Sequence, residues 1–355
     1  MRKERQHGRV TLADIAQRTG VSKVTVSYVL NDRETAHVKI SDQTRQRVLA
    51  TASELGYHPN ALARALTRCS TDTITLVMQS PHVFRGGSGF MNELLHGVVE
   101  AVNTRNFDLM LHTKQIADAD AETRALTDGR SDGCLLLRDR DDPLAAALAK
   151  RGHPFVLLFA RECSAQNPWF VDTDNRLGGR IAAEHLLSLG HRRILFVAGP
   201  EGSVAAEDRR IGFARALADA GLPTDTYPRV QVNYGGGDYG TLARLIRDLP
   251  APERPTAVFA WSDDVAVGVM ETLQRECALH VPTDISVVGF DGTKAVGEQG
   301  CVPRLTSVRQ PIDVIAGRAA ELLIASVRGD TVAETELIFA PTLLRRDSCA
   351  PPRNQ

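Results

Sequence analysis

From residue 73 onward, short apolar runs alternate with segments of helical periodicity, and that alternation limits the possible folds more than anything else in the chain. "TITLVM" (73–78) reads as a buried strand, followed by a helix over about 90–104, then "FDLMLH" and another helix. "GCLLL" (133–137) and "PFVLLF" (154–159) are further strands. A second series follows: helix 175–189, strand "RILFVAG", helix 204–220, strand "RVQVN" and helix 239–248. It closes with strand "TAVFAW", helix 264–276, strand "ISVVGF" and helix 311–328. Such alternation implies parallel sheets with helices on both faces. Two series suggest two doubly wound lobes, with ligands beyond the carboxyl ends of the strands.

The first 68 residues follow another pattern. "TLADIAQRTGVSKVTVSYVLN" (11–31) holds two short amphipathic helices split by Gly20, neither long enough to persist alone in water. Thr11 is a good N-cap, with Asp14 three positions on in the manner of a capping box. Leu12, Ile15 and Ala16 form one apolar stripe. Ser22 caps the second helix, which buries Val26, Val29 and Leu30 and leaves Lys23, Val24, Ser27 and Tyr28 on the opposite face. Small Ala16 permits close helix approach and Gly20 suits a turn of positive φ. This is the helix-turn-helix pattern, whose second helix enters a DNA major groove. Val24 suits a thymine methyl and Lys23 a guanine edge or a phosphate. The bland alternative is a solvated face, since exposed Lys and Tyr occur on any helix. Thr11, Ser22, Thr25 and Asn31, with Asn60 further on, complete the candidate DNA-facing set.

A third helix lies in "ISDQTRQRVLATASELGYHPN", capped by Ser41 and ended by Gly56 and Pro59. "NALARALTR" (60–68) follows, with Asn60 as a cap and Leu62 and Leu66 four apart. Alone it reads as a linker with helical tendency. Residues 1–68 hold 12 Lys+Arg against 6 Asp+Glu, whereas the remainder holds 30 against 37. That asymmetry suggests a polyanionic partner for the head, a solvated basic tail being the alternative. No apolar run reaches the roughly 18 residues of a membrane span, and "MRKERQHGRV" lacks the apolar stretch of a signal peptide. A cytoplasmic protein is expected. Six cysteines, none in a CxxC spacing, read as free thiols without a zinc or redox motif.

These head motifs, together with "TRQRVLATASELGYHPNALARAL", resemble the lactose/galactose repressor family of bacterial transcription regulators. The resemblance covers essentially residues 9–350. It implies that the linker folds as a hinge helix on DNA and that paired hinge helices enter the minor groove. By position Leu66 would then wedge open a base step, with Ala63 beside it in the packed pair. Two features depart from the family. The loop "NDRETAHVKIS" is a few residues longer than the commonest form, and Tyr28 stands where many members carry arginine.

The body resembles the periplasmic binding protein type I fold, which implies a cleft between two lobes. The resemblance places a helix-turn-helix domain at 1–58, a hinge and linker at 59–69 and an effector and dimerisation domain at 70–355. The lobes would comprise about 70–170 plus 302–332, and about 172–300 plus 333–348, with crossings near 170–172, 300–303 and 332–335. It also implies cleft-facing residues: Asp174 before Asn175, Arg209 in "DRRIGFARAL", Asp291 in "SVVGFDG", and Ser262 and Asp263 in "AWSDDVAVG", where Ser262 replaces an asparagine. Carboxylates accept and guanidinium donates in a fork, which suits polyol hydroxyls. Trp261, and Phe84 or Trp169, would suit a sugar's apolar side. Structural readings stand beside each. Asp174 could cap the helix at 175, Arg209 could pair with Asp208 or Glu207, Asp291 could be a turn residue before Gly292, and Trp261 could be core. Arg161 reads as structural.

"GGGDYG" (235–240) satisfies GxGxxG but follows a weak strand and lacks a P-loop lysine. A nicotinamide-dependent enzyme with a DNA-binding head is therefore the weaker alternative, and no cofactor or metal is expected. The reading is a regulator, most simply a repressor, that binds pseudo-palindromic double-stranded operator DNA as a homodimer. Its effector would be a sugar or glycoside in preference to a purine corepressor. With no heptad extension after "LLRRDSCAPP", a dimer is expected over a tetramer.

Overall fold

A computed structural model describes residues 10–30, 40–57, 68, 70–78, 89–114, 116–224, 230–232, 239–294 and 303–353. Asn31, Asn60, Ala63, Leu66, Phe84 and most of "GGGDYG" lie outside the described residues. The chain divides into two compact units, Met1–Thr71 and Asp72–Gln355.

In the first unit, α1 (Leu12–Thr19), α2 (Lys23–Leu30) and α3 (Asp42–Glu54) surround one small core. Ile15, Ala16, Val26, Val29, Val48 and Ala52 fill it. The helix ends are set by the residues the sequence marks for that purpose. The Asp14 carboxylate accepts from the Thr11 N–H and hydroxyl, each at 2.8 Å; these bonds hold it below its ordinary pKa. Gly20 adopts φ +71° and its N–H donates to the Ala16 carbonyl at 2.9 Å, ending α1. A side chain there would be strained, which is why the turn needs glycine. Ser22 Oγ accepts from the Thr25 N–H at 3.0 Å and Ser41 Oγ from the Thr44 N–H at 3.3 Å.

The second unit contains two six-stranded sheets among its described residues. The first is built from β1 (Thr73–Met78), β2 (Asp108–His112), β3 (Gly133–Leu137), β4 (Phe155–Leu158) and β5 (Phe170–Thr173), joined by β11 (Glu336–Phe339). Its order is β11-β5-β4-β3-β1-β2, all parallel. Helices α4 (Gly89–Thr104), α5 (Ala119–Leu126) and α6 (Leu144–Lys150) lie between these strands in the chain. The second sheet holds β6 (Ile194–Ala198), β7 (Val230–Gln231), β8 (Ala257–Ala260), β9 (Ser286–Asp291), β10 (Thr306–Arg309) and β12 (Thr342–Leu344). Its order is β12-β10-β9-β8-β6-β7, with only β12 antiparallel. Here the intervening helices are α7 (Asn175–Ser188), α8 (Val204–Asp219), α9 (Gly240–Asp248) and α10 (Asp263–Cys277).

Each sheet is buried on both faces. One face of the first packs Leu76, Leu135, Val156 and Val171 under α4 and α11 (Ile312–Arg328); the other packs Leu136 and Leu157 under Leu126, Leu144 and Leu148. This explains why the strands read as continuous apolar runs rather than alternating ones. The second sheet is sandwiched in the same way.

The expected crossings between lobes need correction. The expected boundaries put β10 in the first lobe, yet Thr306–Arg309 pairs with Val288–Asp291 in the second sheet. They put β11 in the second lobe, yet Glu336–Phe339 pairs with Phe170–Thr173 in the first. The chain therefore crosses after Thr173, between Arg309 and Ile312, and between Phe339 and Thr342, later than expected in each case. The physical reason is register: a strand belongs to the sheet whose edge completes its hydrogen bonds, and for β11 that partner, β5, lies far away in sequence.

Candidate functional site

Two surfaces carry the residues singled out above. On α2 the apolar stripe is used inward, with Val26 and Val29 buried. The opposite side stays open: Val24 is 60% exposed, Lys23 and Ser22 are exposed, and Thr25, Ser27 and Tyr28 are half-buried. An apolar side chain left that open on a short helix is uncovered by its own unit. Thr11 is exposed but its hydroxyl is engaged by Asp14.

The second group lies at the carboxyl ends of the second sheet's strands. Arg209, on the buried side of α8, donates from Nε to Asn175 Oδ1 at 2.9 Å and from Nη1 to the Trp261 carbonyl at 2.6 Å. Its guanidinium stacks over the Phe290 ring, 3.6 Å from the centroid, and Nη1 stands 3.8 Å from Asp291 Oδ1. Asp291 ends β9 with φ +120°, a conformation that a residue bearing a Cβ rarely adopts. Gly292 follows at φ +68°, where a Cβ would strike the Arg309 backbone. Gln310 Nε2 donates to Asp291 Oδ1 at 2.8 Å, and its Oε1 is buried without a hydrogen-bond partner.

Burial pushes Asp291 up to about 7, opposed by the Arg209 charge. Asp263, first in α10, is pushed well above the carboxylate range by burial and by Asp291. It accepts from Ser307 Oγ and from the Thr293 N–H at 3.0 Å. Asp172 on β5 is raised to about 6 by burial, against the Thr173 N–H and the Arg161 and Arg209 charges. Its Oδ1 accepts from Asn175 Nδ2 at 3.2 Å. A connected polar group thus runs Asp172–Asn175–Arg209–Asp291–Gln310, buried throughout.

Of the expected residues, Arg209 and Asp291 come together. The surface pairing of Arg209 with Asp208 or Glu207 is not what the structure holds: Asp208 pairs with Arg161 and Arg176, and Glu207 with Arg210. Three others have roles in the fold. Asp174 caps α7, accepting from the Leu177 N–H at 2.9 Å. Ser262 caps α10, accepting from the Val265 N–H at 3.4 Å. Trp261 belongs to a core face, and its Nε1 donates to the Val232 carbonyl at 3.0 Å. Asp263 ties α10 to β10 and to the residue after Gly292. Trp169 packs on the first sheet's core. Sequence reasoning misses Asn175, Asp172 and Gln310; the signal for Gln310 would be a strand at 306–309, which the apolar pattern does not reveal. No group of three metal-ligating side chains occurs among the described residues.

With this geometry in hand, comparison with known proteins is direct. Residues 11–60 match the family described as bacterial regulatory proteins, lacI family, and residues 183–349 match a periplasmic binding protein-like domain. The chain is 34% identical over 348 residues to the HTH-type transcriptional regulator CelR of Thermobifida fusca, covering 96% of this chain and 98% of that protein. It is 31% identical to the ribose operon repressor of Escherichia coli (strain K12), covering 95% of this chain and 99% of the repressor. The solved structure of a transcriptional regulator CelR–cellobiose complex superposes with a TM-score of 0.69 at 32% identity, over 96% of this chain and 100% of that one.

Proposed function

Because the chain belongs to the lacI family of bacterial regulatory proteins, we propose that it is a repressor whose operator affinity is set by a sugar or glycoside held at the Arg209–Asp291 group. The observation that carries this reading is the geometry of that group. A guanidinium stacked on Phe290 stands 3.8 Å from a carboxylate in a strained backbone conformation at a strand end. A vicinal diol matches it: one hydroxyl donates to the carboxylate while its neighbour accepts from the guanidinium. The buried Gln310 Oε1 adds an acceptor for a third hydroxyl. A purine offers ring nitrogens and few donors, which suits this set less well. The relative whose structure was solved with cellobiose supports the sugar class.

The head would read half an operator through the open face of α2, with Lys23, Val24, Ser27 and Tyr28 toward base edges and phosphates. Two copies in the cytoplasm would match the two-fold of a pseudo-palindromic site, with Asn60, Ala63 and Leu66 in the hinge between head and lobes. If effector and operator prefer different lobe arrangements, each weakens the other's binding by the same factor. The test is calorimetric titration of the purified chain with mono- and disaccharides and with nucleobases, alongside gel-shift assays on DNA flanking its own gene. One sugar should bind and alter the shift. Binding of a nucleobase alone, or failure to bind any such DNA with and without sugars, overturns the reading.

A further inference from the structure

Asp208 precedes Arg209 on α8 and is buried as well. The residue is 3% exposed, and its carboxylate receives two arginines. Arg176 on α7, within the same lobe, donates Nε to Oδ1 at 2.6 Å. Arg161 reaches Oδ2 from the segment after β4, in the first lobe. The two arginines differ in setting, since the Arg161 side chain is 20% exposed and that of Arg176 58%. The lobes also touch here through the Arg140 N–H, which points to the Gly202 carbonyl at 3.4 Å. Among the described residues, Arg161 is thus a charged side chain that bonds across this seam; elsewhere between the lobes the Lys294 N–H donates to Glu93 Oε1 at 3.0 Å.

We propose that the Arg161–Asp208 pair is a latch between the lobes, which holds them in this arrangement and so sets the balance between effector and operator binding without touching either ligand. The proposal rests on the effector reading above. Separating the lobes would leave Asp208 buried with only its more exposed partner, a cost that a surface ion pair would not incur. On its own lobe, the charge of Arg161 also acts on the buried Asp172. The guanidinium thus has an electrostatically favourable place in either arrangement, the property a two-state element needs. Asp172 is bonded to Asn175, and Asn175 to Arg209, so an effector seated on Arg209 lies two hydrogen bonds from Asp172.

Arg161→Met removes the latch while leaving Asp208 its Arg176 partner, and Asp208→Asn removes the shared charge. The control is Arg176→Met, which deletes the other arginine from the same carboxylate within one lobe. In the ligand-free full chain, spin labels carried by unnatural residues at positions 150 and 275 report the distance between lobes by pulsed electron resonance. Arg161→Met and Asp208→Asn should each shift or broaden that distribution, the double variant should do no more than either alone, and Arg176→Met should leave it as in the parent. Effector and operator affinities should then move in opposite directions, each by about tenfold. An unchanged distance distribution overturns the latch, as does an Arg176→Met effect equal to that of Arg161→Met. Loss of both affinities together also overturns it, because that signals a damaged fold. If the parent binds neither sugar nor operator, the effector reading fails, and the distance measurement still decides the latch.

Discussion

The open face of α2 and the buried group around Arg209 are built in opposite ways. The face of α2 comes from one local stretch, and its meaning lies in what it leaves uncovered, with Val24 60% exposed beside exposed Lys23. The Arg209 group draws Asp172, Asn175, Asp291 and Gln310 from distant places in the chain and leaves almost none of them open to solvent. On the proposed reading, a side chain on the face contributes to a partner and little to the fold. A side chain in the group contributes to both, because every charge there is desolvated and depends on its neighbours. Function at the first surface should therefore separate from stability under mutation, and at the second it should not.

The hardest test of that contrast is Arg209→Met. It leaves Asp291 without its cation and Asn175 Oδ1 and the Trp261 carbonyl without their guanidinium donor. Breaking a buried pair by removing one partner costs about 3–5 kcal/mol, so urea denaturation should show a marked loss of stability along with loss of effector response. A variant of parental stability would show that the group is not integral to the fold. Asp291→Asn tests the same point through pH. The carboxyl is raised from 3.8 to about 7, so across that window the folded chain keeps a proton that the unfolded chain releases. Its contribution to stability is then full below pH 3.8 and is lost as pH rises through about 7. The buried histidines run the other way, since burial lowers His185 and His191 and makes the folded state lose stability on acidification. The informative quantity is accordingly the parent minus Asp291→Asn. Urea midpoints at pH 5 and pH 8 should show the parent losing more stability with rising pH than the variant does; parallel behaviour would count against a raised carboxyl at Asp291.

The same contrast explains what the sequence makes legible. In the head, periodicity alone picks out Ile15, Ala16, Val26 and Val29 as core, and Ser22 and Ser41 as caps, because helix geometry is a local property. In the lobes, "TITLVM" and "GCLLL" match β1 and β3 residue for residue, since strands covered on both faces are continuously apolar. The strands that escape such a reading are short and mixed, such as "FVDT", "TSVR" and "ELIF". Their identity depends on partners more than a hundred residues away in the case of β11, and so the crossings fall elsewhere than expected. At the site, a polar residue before a helix looks alike in sequence whether it caps or binds. Asp174 and Ser262 cap, whereas Arg209 and Asp291 meet. Gln310 is invisible in the sequence because it is defined by its place after one of those mixed strands.

Smaller effects are expected on the open face, and their separation from stability is what matters. Val24→Ala should leave the thermal unfolding of the head within about 0.5 kcal/mol of the parent, as surface changes usually do. It should weaken operator binding against nonspecific DNA by about 1–3 kcal/mol if the methyls meet a base. Equal weakening on both DNAs would place Val24 off the base edges. Lys23→Gln discriminates further by salt. If the ammonium sits on a phosphate, its removal lowers the slope of log affinity against log salt by about 1, nearly alike for all sequences. If it sits on a base edge, the substitution changes specificity and barely moves the slope.

The smallest change belongs back in the lobes. Ser262 accepts from the Val265 N–H as the cap of α10, while the Asp263 N–H beside it points to Asp291 Oδ2 at 3.4 Å. Ser262→Ala removes only the cap, at about 1 kcal/mol. Ser262→Asn keeps a good cap and restores the residue type found at this place in the resembling family. If Ser262 serves the helix alone, calorimetry should find parental effector affinity in the alanine variant, and the asparagine variant should differ from the parent only in stability, if at all. A tenfold change in effector affinity with the cap preserved would move Ser262 from scaffold to ligand contact. It would also weaken the separation between residues that end helices and residues that meet the effector.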